Sequence, residues 1–200
     1  MAKQPADRIT AREAKRLQTR ERLLGAAVVE FKRAGSAEAD VAAIVAAAGV
    51  AHGTFFFHFP TKEHVLLELE RREEARMAKS FATFAKSHDD LPAVLREAVD
   101  LITGLERRLG VILFKDFLAL HFSPSRPAAE QGDDHPLIVR LAEKIEQARA
   151  AGDIAADVTP MNSAIYFLLG LYALLITTDG ATGRADLIDD YLVRTLRSMR

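Results

Sequence analysis

Residues 40–63, DVAAIVAAAGVAHGTFFFHFPTKE, constrain the fold more than any other stretch of the chain. Asp40 can accept hydrogen bonds from the open amides of a following helical turn, which makes it an N-cap. Val41, Ile44, Val45 and Ala48 recur at helical spacing and give one apolar stripe on a helix of about two and a half turns. Gly49 follows, where the chain needs a left-handed residue. A second helix is predicted from about His52 to His58. It must stop before Pro60, because the residue preceding a proline is driven out of the α region. Thr61 then caps a third helix. Two short helices across a glycine turn form a helix-turn-helix, whose second helix is shaped for the DNA major groove.

Within the second helix, Phe55 and Phe59 lie four residues apart and share a core-facing side. Phe56, Phe57 and His58 cannot all share it, and an exposed phenylalanine pair on so short a helix calls for a partner surface. Thr54 can meet a phosphate or a thymine methyl, and Gly53 lets the backbone approach closely. His52 or His58 can donate to a phosphate or a base edge, and the aromatic faces can contact thymine methyls. Lys62, in the first turn of the third helix, reads as a phosphate clamp. Two plainer alternatives stay open: His58 as a satisfied, semi-buried histidine and Lys62 as a solvated surface lysine.

The pattern Ala48-Gly49-Val50, Gly53-Thr54, an aromatic run and Phe59-Pro60-Thr61-Lys62-Glu63 resembles the TetR family of bacterial transcriptional regulators. Upstream, Thr19-Arg20-Glu21-Arg22-Leu23-Leu24, Ala26-Ala27, Phe31 and Gly35 resemble that family's first helix and its stop. The resemblance covers about residues 19 to 67; beyond it only a loose Ala151-Gly152-Asp153-Ile154, Asp157, Pro160 signature recurs. It implies that His52, Gly53, Thr54, Phe56, Phe57, His58 and Lys62 face double-stranded DNA. It also implies an all-α protein of about nine helices. Residues 1–18 would be a basic arm, 19–63 the helix-turn-helix domain, and 64–200 a helical effector-binding and dimerisation domain. The chain departs from the family pattern at several places. Phe56 stands where a tyrosine is common, Ala42 where many relatives carry arginine, and Ala51 where a capping serine or threonine is usual. The missing cap costs about 1 kcal/mol. A reading head so poor in cations neutralises few phosphates, so its salt dependence should be modest.

Charge is unevenly placed along the chain. Residues 1–62 hold ten Lys/Arg against six Asp/Glu, and residues 63–200 hold seventeen against twenty-two. Lys3, Arg8, Arg12, Lys15 and Arg16 give the first eighteen residues a basic character, suited to phosphate contact or to a solvated terminus. The chain has no cysteine, which excludes disulfides and thiolate chemistry. No HExxH, glycine-rich phosphate loop or GxSxG elbow occurs, so an enzyme is not expected. His88-Asp89-Asp90 and Asp133-Asp134-His135 lack separated partners and read as caps and turns, with no metal and no cofactor implied. The apolar run 164–176 is short for a membrane span and contains Gly170; a cytoplasmic protein without a membrane partner is expected.

After Thr61 a long helix is predicted to about Lys86, roughly 36 Å at 1.5 Å per residue. Helices follow over 91–109, 111–122, 136–151, 160–178 and 185–199, with a loop over 123–134 carrying Pro124, Pro127 and Gly132. Phe84, Phe114, Phe117, His121 and Phe122 offer an aromatic lining with one polar group, the mix of a small-molecule pocket, or plain core. The resemblance implies a small hydrophobic effector there. The helix over 160–178 is apolar nearly all round and must be covered on more than one side. The economical cover is a second copy of the chain, with Phe167, Leu168, Leu171, Leu175, Leu187 and Tyr191 in the seam; a wholly intramolecular bundle is the alternative. The function expected is a ligand-responsive repressor that binds a palindromic operator as a homodimer. The alternative is a regulator-shaped module, binding ligand or protein, that has lost DNA.

Overall fold

The computed structural model describes residues 10–121, 123 and 135–200, with His121 described by its backbone alone. Among them are nine helices: α1 Ala11–Glu38, α2 Val41–Ala48, α3 His52–His58, α4 Lys62–Phe84, α5 Leu91–Leu109, α6 Val111–His121, α7 Pro136–Ala151, α8 Pro160–Thr177 and α9 Arg184–Ser198. The fold is all-helical, as the periodicities required. Lys3 and Arg8, and the expected loop from Pro124 through Gly132 to Asp134, lie outside the described residues, as does Phe122.

The chain divides into two compact units, Met1–Leu69 and Glu70–Arg200. The division falls inside α4, six residues beyond the position read from sequence. Val65, Leu66 and Leu69, on the first turns of α4, are buried in the first unit with Leu23, Ala27, Phe31 and Ile44. Gly49, at φ 63° and ψ 44°, ends α2 in the left-handed conformation. From there the Gly49 amide donates to Ala46 and the Val50 amide to Val45, closing the last turn.

Helix α1 differs from expectation at both ends. It begins at Ala11, capped by the Thr10 hydroxyl accepting from Glu13 N–H, so residues 11–18 are helix rather than extended arm. The run AREAKRLQ is rich in good helix formers, and a capping threonine in front of it outweighs the lack of an apolar stripe. At the other end Gly35 adopts φ 82° and ψ 160° and kinks the helix before a last short turn.

In the second unit α8 packs on α7, and α5 on α6, α7 and α9. Phe167, Leu168, Leu171 and Leu175 are buried by the chain's own helices, which corrects their reading as subunit-seam residues. Periodicity marked α8 as many-sided without telling which of its sides α7 and α9 would cover. Tyr191 is also spent internally: its hydroxyl donates to the Phe167 carbonyl at 2.7 Å, and its ring stacks on Phe167 at 5.8 Å. The apolar side chains left exposed on these two helices are Met161, Tyr166, Leu169, Leu187 and Val193, so Leu187 alone of the six is open. At eighteen residues α8 is long and apolar enough to cross a bilayer, a test that core helices of soluble proteins also pass.

Gly170 lets α9 approach α8 this closely. A Cβ there would lie 2.4 Å from the Tyr191 hydroxyl oxygen and 2.9 Å from its ring. Alanine normally stabilises a helix by about 1 kcal/mol over glycine. Here it would displace a stacked ring and break its hydrogen bond, a larger loss. Gly170→Ala is therefore expected to destabilise the protein by about 1–2 kcal/mol in chemical denaturation. In a Tyr191→Ala background the same change should stabilise it.

Candidate nucleic-acid interface

Helices α2 and α3 meet at 95° across the Gly49 turn. Phe55 and Phe59 are fully buried, 6.1 Å apart between ring centroids. Successive helix positions are rotated by 100°, so seating Phe55 inside forces Phe56 and Phe57 outward. They are 47% and 73% exposed. His52 and Gly53 are exposed beside them, and Thr54 is half-buried. His52 meets the Phe56 ring edge-on at 5.6 Å, and Phe56 does the same to Phe55 at 5.3 Å. The outer face of α3 is therefore an ordered aromatic surface. Ala51 supplies no side-chain cap, as its sequence position foretold.

Two of the seven residues expected to face DNA are placed otherwise. His58 is buried. It lies three residues after Phe55, and that spacing turns it toward the same interior side. Burial lowers its pKa below the ordinary 6.5, and the Arg20 and Arg16 guanidiniums lower it further. Lys62 is half-buried, and its ammonium donates to the carbonyls of Ala37 at 2.5 Å and Ala39 at 3.3 Å. It staples the end of α1 to α4. The Gly35 kink leaves those carbonyls without helical partners, and the lysine supplies donors for them.

Arg20 emerges as the organiser of the head. One terminal nitrogen donates to the His58 carbonyl at 2.5 Å and the other to Glu68 at 3.0 Å. Its guanidinium lies 4.2 Å from the centroid of Phe59. One side chain thus joins α1 to the end of α3 and the start of α4. Sequence spacing gives no warning of this, because the partners are 38 and 48 residues away. Glu30, accepting from Arg33 and from the Asp40 amide, is pushed down to about 2 and anchors the entry to α2.

The expected effector lining divides. Phe114 and Phe117 are buried core, while Phe84 is half-buried and stacks on His88 at 3.9 Å. His121 has no described side chain, and Phe122 lies outside the described residues. A cavity of about 20 Å³ opens elsewhere in the second unit, lined by Glu74, Met77, His135, Leu137, Leu168 and Tyr172 among others. Burial, then the charges of Glu74 and Glu70, raise the Tyr172 phenol. No group of three metal-ligating side chains occurs among the described residues. Asp90 caps α5, and Asp89 pairs with Lys144.

The geometry defines a helix-turn-helix head with a solvent-facing second helix. Residues 23–69 match the family described as bacterial regulatory proteins, tetR family. The match covers the helix-turn-helix and its flanking helices, so it is this head that the chain shares with the tetR family of bacterial regulatory proteins. Solved structures share the whole fold. The fatty acid degradation regulator FadR from Bacillus halodurans is 19% identical, with a TM-score of 0.70 over 90% of this chain and 99% of its own. FadR from Bacillus subtilis, in complex with stearoyl-CoA, is 17% identical, with a TM-score of 0.72 over 90% and 99%. Salmonella enterica GusR is 22% identical, with a TM-score of 0.69 over 96% of each. No curated protein matches the chain by sequence.

Two outcomes follow from the head. Arg20→Ala should lower its stability by about 2 kcal/mol, read by denaturation, because a hydrogen-bonded charge in partial burial is lost. For His58, the unfolded chain takes up a proton before the folded one as pH falls. The associated stability is full above 6.5 and is lost as pH drops from there through the lowered folded value. The melting temperature should fall between pH 7 and 5, and less so in His58→Gln. Glu30 contributes only in stronger acid.

Proposed function

We propose that this TetR-family regulator acts as a homodimer on a palindromic operator and is released by a small hydrophobic effector. One observation carries the DNA-binding part: α3 turns an ordered, exposed aromatic face outward while its other side holds the core. Two such heads related by a two-fold axis would read half-sites in successive major grooves. Met161, Tyr166, Leu169 and Val193, with Leu187, form the apolar surface that a second copy would cover. An effector inside the second unit can act only through different affinities for the bound and released arrangements. Stearoyl-CoA in the Bacillus subtilis structure makes long-chain acyl compounds the first to try. Phe84, Phe114, Phe117, His121 and Phe122 stay the proposed lining. Binding chromosomal DNA accords with a cytoplasmic location.

A second reading, a module that has lost DNA, is favoured by one finding: Lys62 is committed to carbonyls and no longer counts as a phosphate clamp. Fluorescence anisotropy with mixed-sequence duplex at two salt concentrations separates the two. A regulator should bind more tightly at low salt, by a small power of the salt ratio, and acyl-CoA should weaken retention of a selected operator. Absence of binding at both salts favours the second reading.

A further inference from the structure

Resting on the DNA-binding reading, we infer that this head identifies its site chiefly by 5-methyl groups of thymine rather than by hydrogen bonds to base edges. Direct readout needs side chains whose donors and acceptors match a base pair, above all Arg, Lys, Asn and Gln, or apolar groups that meet the thymine methyl. Helix α3, HGTFFFH, has none of those four residues. The structure then removes His58 from its outer face by burying it, and Thr54 is half-buried. What faces outward is Phe57, most exposed of all, Phe56 beside it, Gly53 and the His52 ring. His52 is the one exposed polar side chain of the helix, and its ring packs against Phe56.

The occupant is fixed as duplex DNA by the charge that flanks this apolar face. A Cβ on Gly49 would lie 3.8 Å from an Arg22 guanidinium nitrogen, so Arg22 stands beside the turn that opens α3. Arg16 lies one helical turn before Arg20 on α1, and the Arg20 guanidinium holds the carbonyl of His58, the last residue of α3. Arg22 and Arg16 are both exposed, and neither makes a hydrogen bond or ion pair among the described residues. A cation at each end of an aromatic helix matches phosphates on either side of a groove with methyl groups on its floor. An apolar protein partner would leave both guanidiniums without a counter-charge.

The test uses the full chain. Duplexes with a random core are selected for retention, and the winners are resynthesised with deoxyuridine in place of thymidine, which removes the methyl and nothing else. Affinity is expected to fall about fourfold per contacted methyl, and more than tenfold over two half-sites. Phe57→Ala, at an exposed position, should keep its melting temperature. Its preference for the thymine duplex should shrink by about fourfold per methyl that Phe57 contacts, leaving the share of Phe56. Equal wild-type affinity for the two duplexes would overturn the inference and leave DNA binding standing. So would a Phe57→Ala protein whose preference for thymine is undiminished. If no duplex is retained at low salt, the DNA-binding reading falls and this inference with it.

Discussion

A seven-residue helix cannot turn three consecutive phenylalanines, Phe55, Phe56 and Phe57, into one core. Once Phe55 and the following Phe59 fill the space among Phe31, Ile44 and Val65, the rotation of the helix sends Phe56 and Phe57 into solvent. The core of the first unit and its outer reading surface are therefore one packing decision seen from two sides. Any change that let Phe56 inside would turn the outer face with it. Arg20 fixes the angle of that rotation by holding the last carbonyl of α3 while lying over the Phe59 ring.

Much of this arrangement was legible in the residues, because local rules wrote it. Asp40 before an apolar stripe, Gly49 after it and Pro60 beyond the aromatic run each have one conformational meaning. Together they set α2, the turn and the end of α3. What the sequence could not show was partner choice across space. Lys62 looked like a cation for phosphate because its partners, the carbonyls of Ala37 and Ala39, are backbone atoms without a residue signature. His58 is eligible for either side by residue type, and the three-residue step from Phe55 selects the buried alternative. On α8, apolar residues on every side made Phe167 and Leu171 as eligible for an outer seam as Tyr166 and Leu169. Only the positions of the neighbouring helices, α9 among them, distinguish the two sets.

Electrostatically, the two reassigned groups leave a head whose available positive charge sits beside the reading helix rather than on it. Arg16 and Arg22 belong to α1, a helix that also carries the core residues Leu23 and Phe31. The core therefore fixes where their backbone stands on α1. Lys62 and Arg20 hold the scaffold, one at the exit of α1 and one at the exit of α3. The cations that hold the scaffold, Lys62 and Arg20, are thus different residues from the exposed pair, Arg16 and Arg22.

The missing side-chain cap at Ala51 has a last consequence. The opening turn of α3 holds His52 and Gly53 with no side-chain oxygen to satisfy its amides and a glycine that gains little from staying helical. Its far end is clamped by Arg20, whereas its near end is anchored chiefly by the Gly49 turn. Loosening of α3 under denaturant should therefore begin at His52 and Gly53 rather than at the aromatic seat behind them.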